Sequence, residues 1–415
     1  MVNLTKPKLF MTTKIVPKKR IEIIDALRGF ALMGILILHS MEHFELYIHP
    51  VADSPVLAWF DEKLQSIVWF LFAGKSYAIF SLLFGLSFFI QMKNQQERGI
   101  DFRGRFLWRM VLLYALGYIN GLMYLGEIFA VYALLGMLLV PLFRVKDKWL
   151  IFLSLFLIFQ IPYLGLFVYN LLSPDNPFIL FPEYERFIEE AYATSNQIYQ
   201  YGSFLDVLDY NLWSAHFQKW AWFVGGTRIW QLVGLFIVGL LIGRHGIHRD
   251  RRKMIRYSRY ALALGALLFV VFSSLSAVLP VMGVNPENAK MGCMIFDHYV
   301  EMGMMLLIIG LFVQAYFLLG AKRVLDHLAP FGRMSVTNYM SQSVIGAVMY
   351  YGYGFGLAAT WGFTYCFLAG VILFLIQVSW SKWWLKRYYY GPMEWVWRCL
   401  TWGSFKSVPF RRRTV

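Results

Sequence analysis

Charge is what this chain has least of. Charged residues make up 15% of its 415 positions and apolar residues 59%, whereas a soluble globular domain is about one quarter charged. That deficit excludes the soluble globular class. Cysteine is scarce as well. Cys293, Cys366 and Cys399 form no CxxC pair, which excludes a disulfide framework and a cysteine-built metal knuckle. Short alternating segments of the kind that build a transmembrane barrel are missing. So are a low-complexity stretch and an obvious repeat, and the basic tail 1–20 lacks the apolar core and small-residue cleavage site of a removable signal. Acids are outnumbered, 24 against 39 Lys and Arg, for a formal charge of +15. The excess lies in short segments between apolar runs, the pattern of loops facing anionic lipid, so no nucleic-acid partner is expected.

What is present in quantity is apolar sequence in runs long enough to cross a bilayer as helices, about 18 residues or more. Punctuation between the runs gives about ten spans, near 23–44, 70–92, 107–126, 128–143, 149–171, 228–243, 259–281, 300–319, 335–352 and 357–379. Residues 64–75 and 217–227 read as half-helices or interfacial segments. The fold class is therefore all-α: a polytopic helical membrane protein with a basic tail 1–20, a ten-span domain 21–379 and an amphipathic basic segment 380–415. Segment 244–259 has seven bases against Asp250, whereas 172–217 has seven acids against Arg186. With ten spans the basic segments fall on one side and the acidic loop on the other. Both termini are then cytoplasmic, and 172–217 forms a partly helical outer cap.

Polar residues within such spans are costly and are either paired or functional. Asp25 and Arg28 lie three apart at the start of the first span, on one helical face. They pin the helix as an ion pair, or Arg28 meets an anionic ligand whose phosphate its planar guanidinium suits. His39 follows Arg28 by eleven residues, about 16 Å of helix and about three turns, so the two share a face at opposite depths. A histidine there serves either as a hydrogen bond to another helix or as a general base on an acceptor. Asn120 and Glu127 flank a turn between spans three and four, where Glu127 could pair with a base or orient a histidine. Arg333, Thr337, Asn338, Tyr339 and Gln342 enter span nine as interhelical glue or cavity lining. Lys75 is a snorkelling or buried cation. His39, Glu42 and His43 also spell HxxEH, with both histidines on one helical face. A catalytic zinc needs a third protein ligand, and the nearest options, Glu45 and His49, fall where the helix ends, so no metal is expected.

Four stretches, "RIEIIDALRGFALMGILIL", "GKSYAIFSLLFGLSF", "FGRMSVTNYMSQS" and "YYYGPMEWVWRCLTWG", resemble the YeiB-like family of bacterial membrane proteins. The likeness runs from about residue 20 to 405. That family, known mainly as a domain of unknown function, is grouped with ten-span membrane acyltransferases that include polysaccharide O-acetyltransferases and the lysosomal heparan glucosaminide acetyltransferase. The resemblance implies a bacterial inner-membrane location. It also brings an Arg-x10-His pattern in the first span, matched here by Arg28 and His39, with Asp25 and Gly29 in a DxLRGxA opening. YeiB-like relatives often carry Asn at the position of His39 and His at that of Asn120; this chain has the reverse.

Two function classes follow. In the first, a cytoplasmic acyl-CoA such as acetyl-CoA offers its phosphates to Arg28 and the basic loops. His39 then deprotonates a hydroxyl or amine of a sugar or lipid acceptor on the outer side, with Asp25 and Glu127 as further catalytic candidates. Asn120, Arg333, Asn338, Tyr339, Gln342 and Lys75 are then substrate-binding candidates. In the second, a lipid, lipid-linked sugar or small amphiphile is transported without covalent change. Expected partners are membrane lipids, the acyl donor and its acceptor, with a homodimer left open.

Overall fold

The long apolar runs are helical, and so is the polar stretch Tyr184–Tyr201. A computed structural model describes residues 21–411 apart from 174–176, 179, 181, 406 and 407; the tail 1–20 lies outside the described residues. The first helices are α1 (Glu22–Met41), α2 (Pro55–Phe72), α3 (Lys75–Gln96), α4 (Arg103–Gly121), α5 (Phe129–Met137) and α6 (Leu139–Leu142). Then come α7 (Asp147–Ile158), α8 (Ile161–Leu172), α9 (Tyr184–Tyr201), α10 (Phe204–Leu212), α11 (Ser214–Gly225) and α12 (Arg228–Arg244). The last are α13 (Arg251–Val278), α14 (Pro286–Phe317), α15 (Lys322–Leu325), α16 (Ala329–Arg333), α17 (Ser335–Tyr350), α18 (Phe363–Arg387) and α19 (Pro392–Trp402). Among the described residues there is no strand, only an isolated bridge between Tyr388 and Arg411.

Local chemistry sets several starts. Ser54 accepts from the Leu57 amide with Pro55 at the first turn of α2, and Asp250 and Asn285 accept from the first free amides of α13 and α14. By length and apolarity five helical stretches suit a bilayer, or seven if each of two bent pairs is one span. The molecule is a membrane protein, but this count is below the ten expected. The arginines of α4 (Arg103, Arg105, Arg109), the shortness of α5 with α6, and the 16 residues of α17 keep those segments out of it.

Two expected boundaries are corrected. Residues 64–75 are no half-helix: α2 is a full 18-residue helix, and the chain breaks at Ala73–Gly74 before α3. Gly74 sits at φ +77°, and a Cβ there would stand 2.2 Å from the Glu301 carboxyl carbon, so only glycine fits. The span 149–171 is broken at Gln160, where α7 and α8 meet at 47°. Segment 217–227, expected as a half-helix or interfacial segment, forms most of α11, which meets α12 at 74° across Thr227. Both break residues are left-handed, at φ 48° and 56°. Thr227 donates to Gln160 Oε1 (3.0 Å), and both side chains approach Nδ1 of His298 in α14 (3.3 and 3.0 Å). This buried side-chain node ties the two helix breaks to each other and to α14. His298 is thus a second histidine deep within a helix, beside His39.

The centre of the bundle is α1, packed against α2, α3, α16, α17 and α18. Beside it α3 and α12 lie backbone to backbone: a Cβ at Gly85 would be 1.9 Å from the Phe236 carbonyl oxygen. At the periphery α13 exposes Leu264, Leu267 and Val270, as a lipid-facing helix does. The turn 42–54 and helices α9 and α10 share one end of the bundle, tied by Tyr47 N to Asn196 and by Tyr199 stacked on Tyr351 at 4.5 Å. That is the acidic end. The connection α12–α13 and the segment after α18 lie at the other, basic end, where α19 packs on α4 and α17.

Candidate functional site

Helix α1 carries one site residue near each end. Its last turn presents His39, and the chain then makes a tight reversal. His43, Phe44 and Glu45 are all left-handed, at φ 47°, 55° and 68°, a run that costs about 1–2 kcal/mol per non-glycine residue. The amide of Phe44 bonds the His39 carbonyl (2.7 Å) and that of Leu46 bonds the Glu42 carbonyl (3.2 Å), so backbone hydrogen bonds hold the strained turn. The turn folds Glu42 and Glu45 back onto His39. Glu42 Oε2 lies 3.1 Å from His39 Nδ1, and ligand atoms of His39, Glu42 and Glu45 all lie within 4.8 Å of one another. Burial, and then the adjacent Glu42 carboxylate, push the Glu45 carboxyl up to about 7.

These three side chains line a cavity of about 350 Å³ at the acidic end. Its walls are aromatic, with Trp69, Tyr77, Tyr192, Trp222 and Tyr339. Its floor is ionic. Arg228 pairs with Glu301 (3.3 Å) and meets the Tyr77 hydroxyl (2.5 Å), and Lys219 pairs with the buried Glu127 (3.2 Å). With Nδ1 engaged by a carboxylate, the imidazole keeps its proton on that side and leaves Nε2 as the basic nitrogen, the arrangement a general base requires.

A second cavity, about 250 Å³, lies toward the basic end and is lined by Arg28, Arg109, Arg333 and Arg398, with Glu394 the one acid. Arg28 is held by Asp25 (2.9 Å) and Ser87 (3.0 Å). The Arg109 guanidinium lies over the Trp397 ring (3.6 Å), and Arg398 over Tyr390 (4.5 Å). Both carboxyl oxygens of Glu394 serve the start of α17, accepting from Val336 N (2.7 Å), Thr337 N (3.1 Å) and Thr337 Oγ1 (2.6 Å). Burial holds that carboxyl above its ordinary range despite those donors. The cavity is thus cationic and stacked with aromatics, suited to phosphates and a planar base.

The two cavities do not join. Ile128 lines one and Phe129 the other; Tyr77 lines one and Phe80, a turn later on α3, the other. Phe129 packs against Tyr339 at 4.7 Å, and the Tyr132 hydroxyl donates to the Tyr77 carbonyl (2.7 Å). Arg28 and His39 therefore stand on either side of an aromatic septum.

The remaining sequence candidates are placed as follows. Tyr339 lines the acidic-end cavity and donates to the Gly126 carbonyl (3.2 Å). Glu127 caps α5, accepting from the Phe129 and Ala130 amides, and pairs with Lys219; the carboxylate on His39 is Glu42. Asn120 bonds Ser343, Asn338 bonds Phe331 and Ser381, and Gln342 bonds Gln377. All three are buried and line neither of these cavities. Lys75 is buried beside the first of them, 3.4 Å from the Trp69 carbonyl. His43 turns away from His39, with Nε2 2.8 Å from the Trp361 carbonyl oxygen. The set His39, Glu42 and His43 is therefore not brought together; Glu45 replaces His43, because three left-handed residues reverse the chain where a continued helix would have stacked the histidines. One nitrogen and two carboxylates could also ligate a divalent cation. Missed in the sequence were Arg109, Arg398, Lys219, Arg228 and Glu301. Their signal was present, as ionisable residues within apolar segments or, for Arg398, in the amphipathic basic segment, but their convergence comes from helices far apart in the chain.

Residues 242–404 match the family described as "Protein of unknown function (DUF418)". The chain is 27% identical to the uncharacterized protein YeiB of Escherichia coli (strain K12), over 91% of this chain and 95% of that one. It is 25% identical to the uncharacterized protein YxaH of Bacillus subtilis (strain 168), over 94% and 96%. An uncharacterized 39.9 kDa protein from the amylase 3' region of Bacillus acidopullulyticus is 26% identical over 93% and 94%. These findings bear out the YeiB-like resemblance, and none of the relatives' names states an activity.

Proposed function

We propose that this YeiB-like chain is a transmembrane acyltransferase of a bacterial inner membrane. It takes an acyl group from a cytoplasmic acyl-CoA and places it on a hydroxyl or amine of a sugar or lipid acceptor at the outer face. The observation that carries the reading is a single helix. α1 sets Arg28 in an arginine-lined cavity at the basic end and a carboxylate-held histidine in an aromatic cavity at the acidic end. The positive-inside bias puts the basic end in the cytoplasm.

In this mechanism Arg28, Arg109, Arg333 and Arg398 hold the donor phosphates, and Tyr390 and Trp397 flank its base. The thioester arm extends toward the septum of Phe80, Phe129 and Tyr339, which must part for transfer. His39 Nε2 removes the acceptor proton while Glu42 steadies the imidazolium, and Arg228 is the cavity cation that offsets negative charge on the reacting carbonyl oxygen. No residue needs to carry the acyl group covalently. Acyl transfer from labelled acetyl-CoA, followed in nanodiscs, tests the reading: it requires activity in the parent and its loss in His39→Ala.

A second reading, transport of a lipid or small amphiphile, is favoured by two features. The cavities lie on either side of one closed septum, and two helix pairs are sharply bent at short breaks, a feature of carriers built on discontinuous helices. Uptake of unmodified substrate into vesicles, insensitive to acyl-CoA, would decide for it.

A further inference from the structure

We propose that the basic end of the bundle holds an anionic phospholipid in a third cavity, its phosphate bound by Lys93, Arg144 and Lys146; this holds whether the chain transfers acyl groups or transports. The cavity, about 680 Å³, forms where the end of α3 meets the turn 99–102, the start of α4, the loop 143–146 and the end of α12. Five cations line it against one acid, Asp101. Two of the five build its walls. Arg103 clasps Asp101 through Nε (3.0 Å) and a terminal nitrogen (2.6 Å). Arg244 donates to the carbonyls of Phe143 (2.8 Å) and Val145 (2.7 Å) and pairs with Asp147, which ties the 143–146 loop to α12. Lys93, Arg144 and Lys146 remain. Among the described residues none of these three forms an ion pair, and Arg144 acts on Asp101 only from a distance. Three like charges around one fixed cavity repel each other until an anion joins them.

The apolar part of the lining says which anion. Phe89, Met92, Phe102 and Phe143 line the same cavity. A small soluble phosphate would leave that surface wet, whereas a phospholipid covers it with its glycerol backbone and first chain methylenes. The surroundings agree. Leu134 and Leu138 before the cationic loop, and Trp149 and Phe152 after it, are all exposed, so the loop lies between two lipid-facing stretches. Trp149, in the first turn of α7, is the residue type that marks the headgroup level. A basic pocket between helices on the cytoplasmic side is a site for an anionic headgroup.

This cavity is not the arginine cavity seen from another side. Phe88 and Gln91 of α3 line that one, whereas Phe89, Met92 and Lys93 line this one, and no residue lines both. Phe88 fills the space between, against Phe106 (4.7 Å) and Phe143 (5.9 Å). Nor is it the diffuse attraction of any basic loop. Arg252, Arg256 and Arg259 at the start of α13 are as basic, but they are exposed and line none of the three cavities.

The test offers the purified full chain an equimolar mixture of phosphatidylglycerol and phosphatidylcholine with identical acyl chains, and reads the retained lipid by native mass spectrometry. The expected result is one phosphatidylglycerol per chain, preferred by at least about tenfold, as one charge-assisted contact provides. The preference should fall toward parity when Lys93, Arg144 and Lys146 are all replaced by Gln. It should persist when Arg252, Arg256 and Arg259 are replaced instead, which removes the same charge from outside the cavity. Parity of the two lipids on the parent protein overturns the proposal without any variant having to fold. Equal loss in both triple variants also overturns it, because the attraction would then belong to the whole basic end. So does one-for-one displacement of phosphatidylglycerol by inorganic pyrophosphate or by coenzyme A, which would make the occupant a soluble phosphate.

Discussion

Replacing Glu42 by Gln removes one charge from the site and leaves its shape. At the observed 3.1 Å, a carboxylate and an imidazolium attract by about 1.3 kcal/mol in water and about 5 kcal/mol at an effective dielectric of about 20. The side chains of His39 and Glu42 are 18% and 13% exposed, which places the pair between those limits. The Gln amide oxygen can still accept from Nδ1, so orientation survives and stabilisation of the charged ring is lost. A loss of about 2–3 kcal/mol corresponds to a fall in kcat of about 30- to 150-fold. The donor KM should not move, because Glu42 lies across the septum from the arginine cavity. Thiol release from acetyl-CoA in nanodiscs, with saturating acceptor, measures both parameters. His39→Ala should be lower still. If Glu42→Gln keeps more than half the parental kcat while His39→Ala abolishes activity, Glu42 does not steady the imidazolium and the dyad is wrong. A rise in donor KM alone would mean that the two cavities are coupled in a way the closed septum contradicts.

Arg109→Gln and Arg398→Gln should each weaken the donor by about 10- to 100-fold, the cost of one charge-assisted contact, with kcat little changed; donor titration reads this directly. Lys219→Met leaves Glu127 charged and buried, with side-chain exposures of 3% and 0% in the parent pair. It should destabilise by about 3–5 kcal/mol, and adding Glu127→Gln should restore most of the thermal stability. Glu45 has its folded carboxyl raised from 4.5 to about 7, so the folded state binds the proton more tightly and parental stability falls as pH rises between those values. Glu45→Gln should therefore gain in Tm over the parent at pH 8 and show no gain at pH 4; equal curves would refute the raised carboxyl.

Arg28 and His39 were legible as a pair because a helix converts eleven residues into a shared face at two depths, and α1 is that helix. Glu42 was visible three residues on, but its part was not. A continued helix would have stacked His43 under His39, and nothing in "HSMEHFELY" announces three left-handed residues in succession. Glu127 could be expected to find a base, and it does, but Lys219 lies 92 residues away and no local pattern links them. Asn338 and Gln342 read equally well as glue or as cavity lining; only packing against α18 decides, through Ser381 and Gln377.

The sequence by itself determined the solvent and the secondary structure. Too few charges and long apolar runs leave the backbone no hydrogen-bond partner but itself, which forces helices, and the segregation of Lys and Arg names the two ends. Only the tertiary structure decided which charges meet. Four arginines from α1, α4, α16 and α19 share one cavity, and His39 meets two carboxylates in another, because side chains distant in the chain converge only where the helices that carry them are packed.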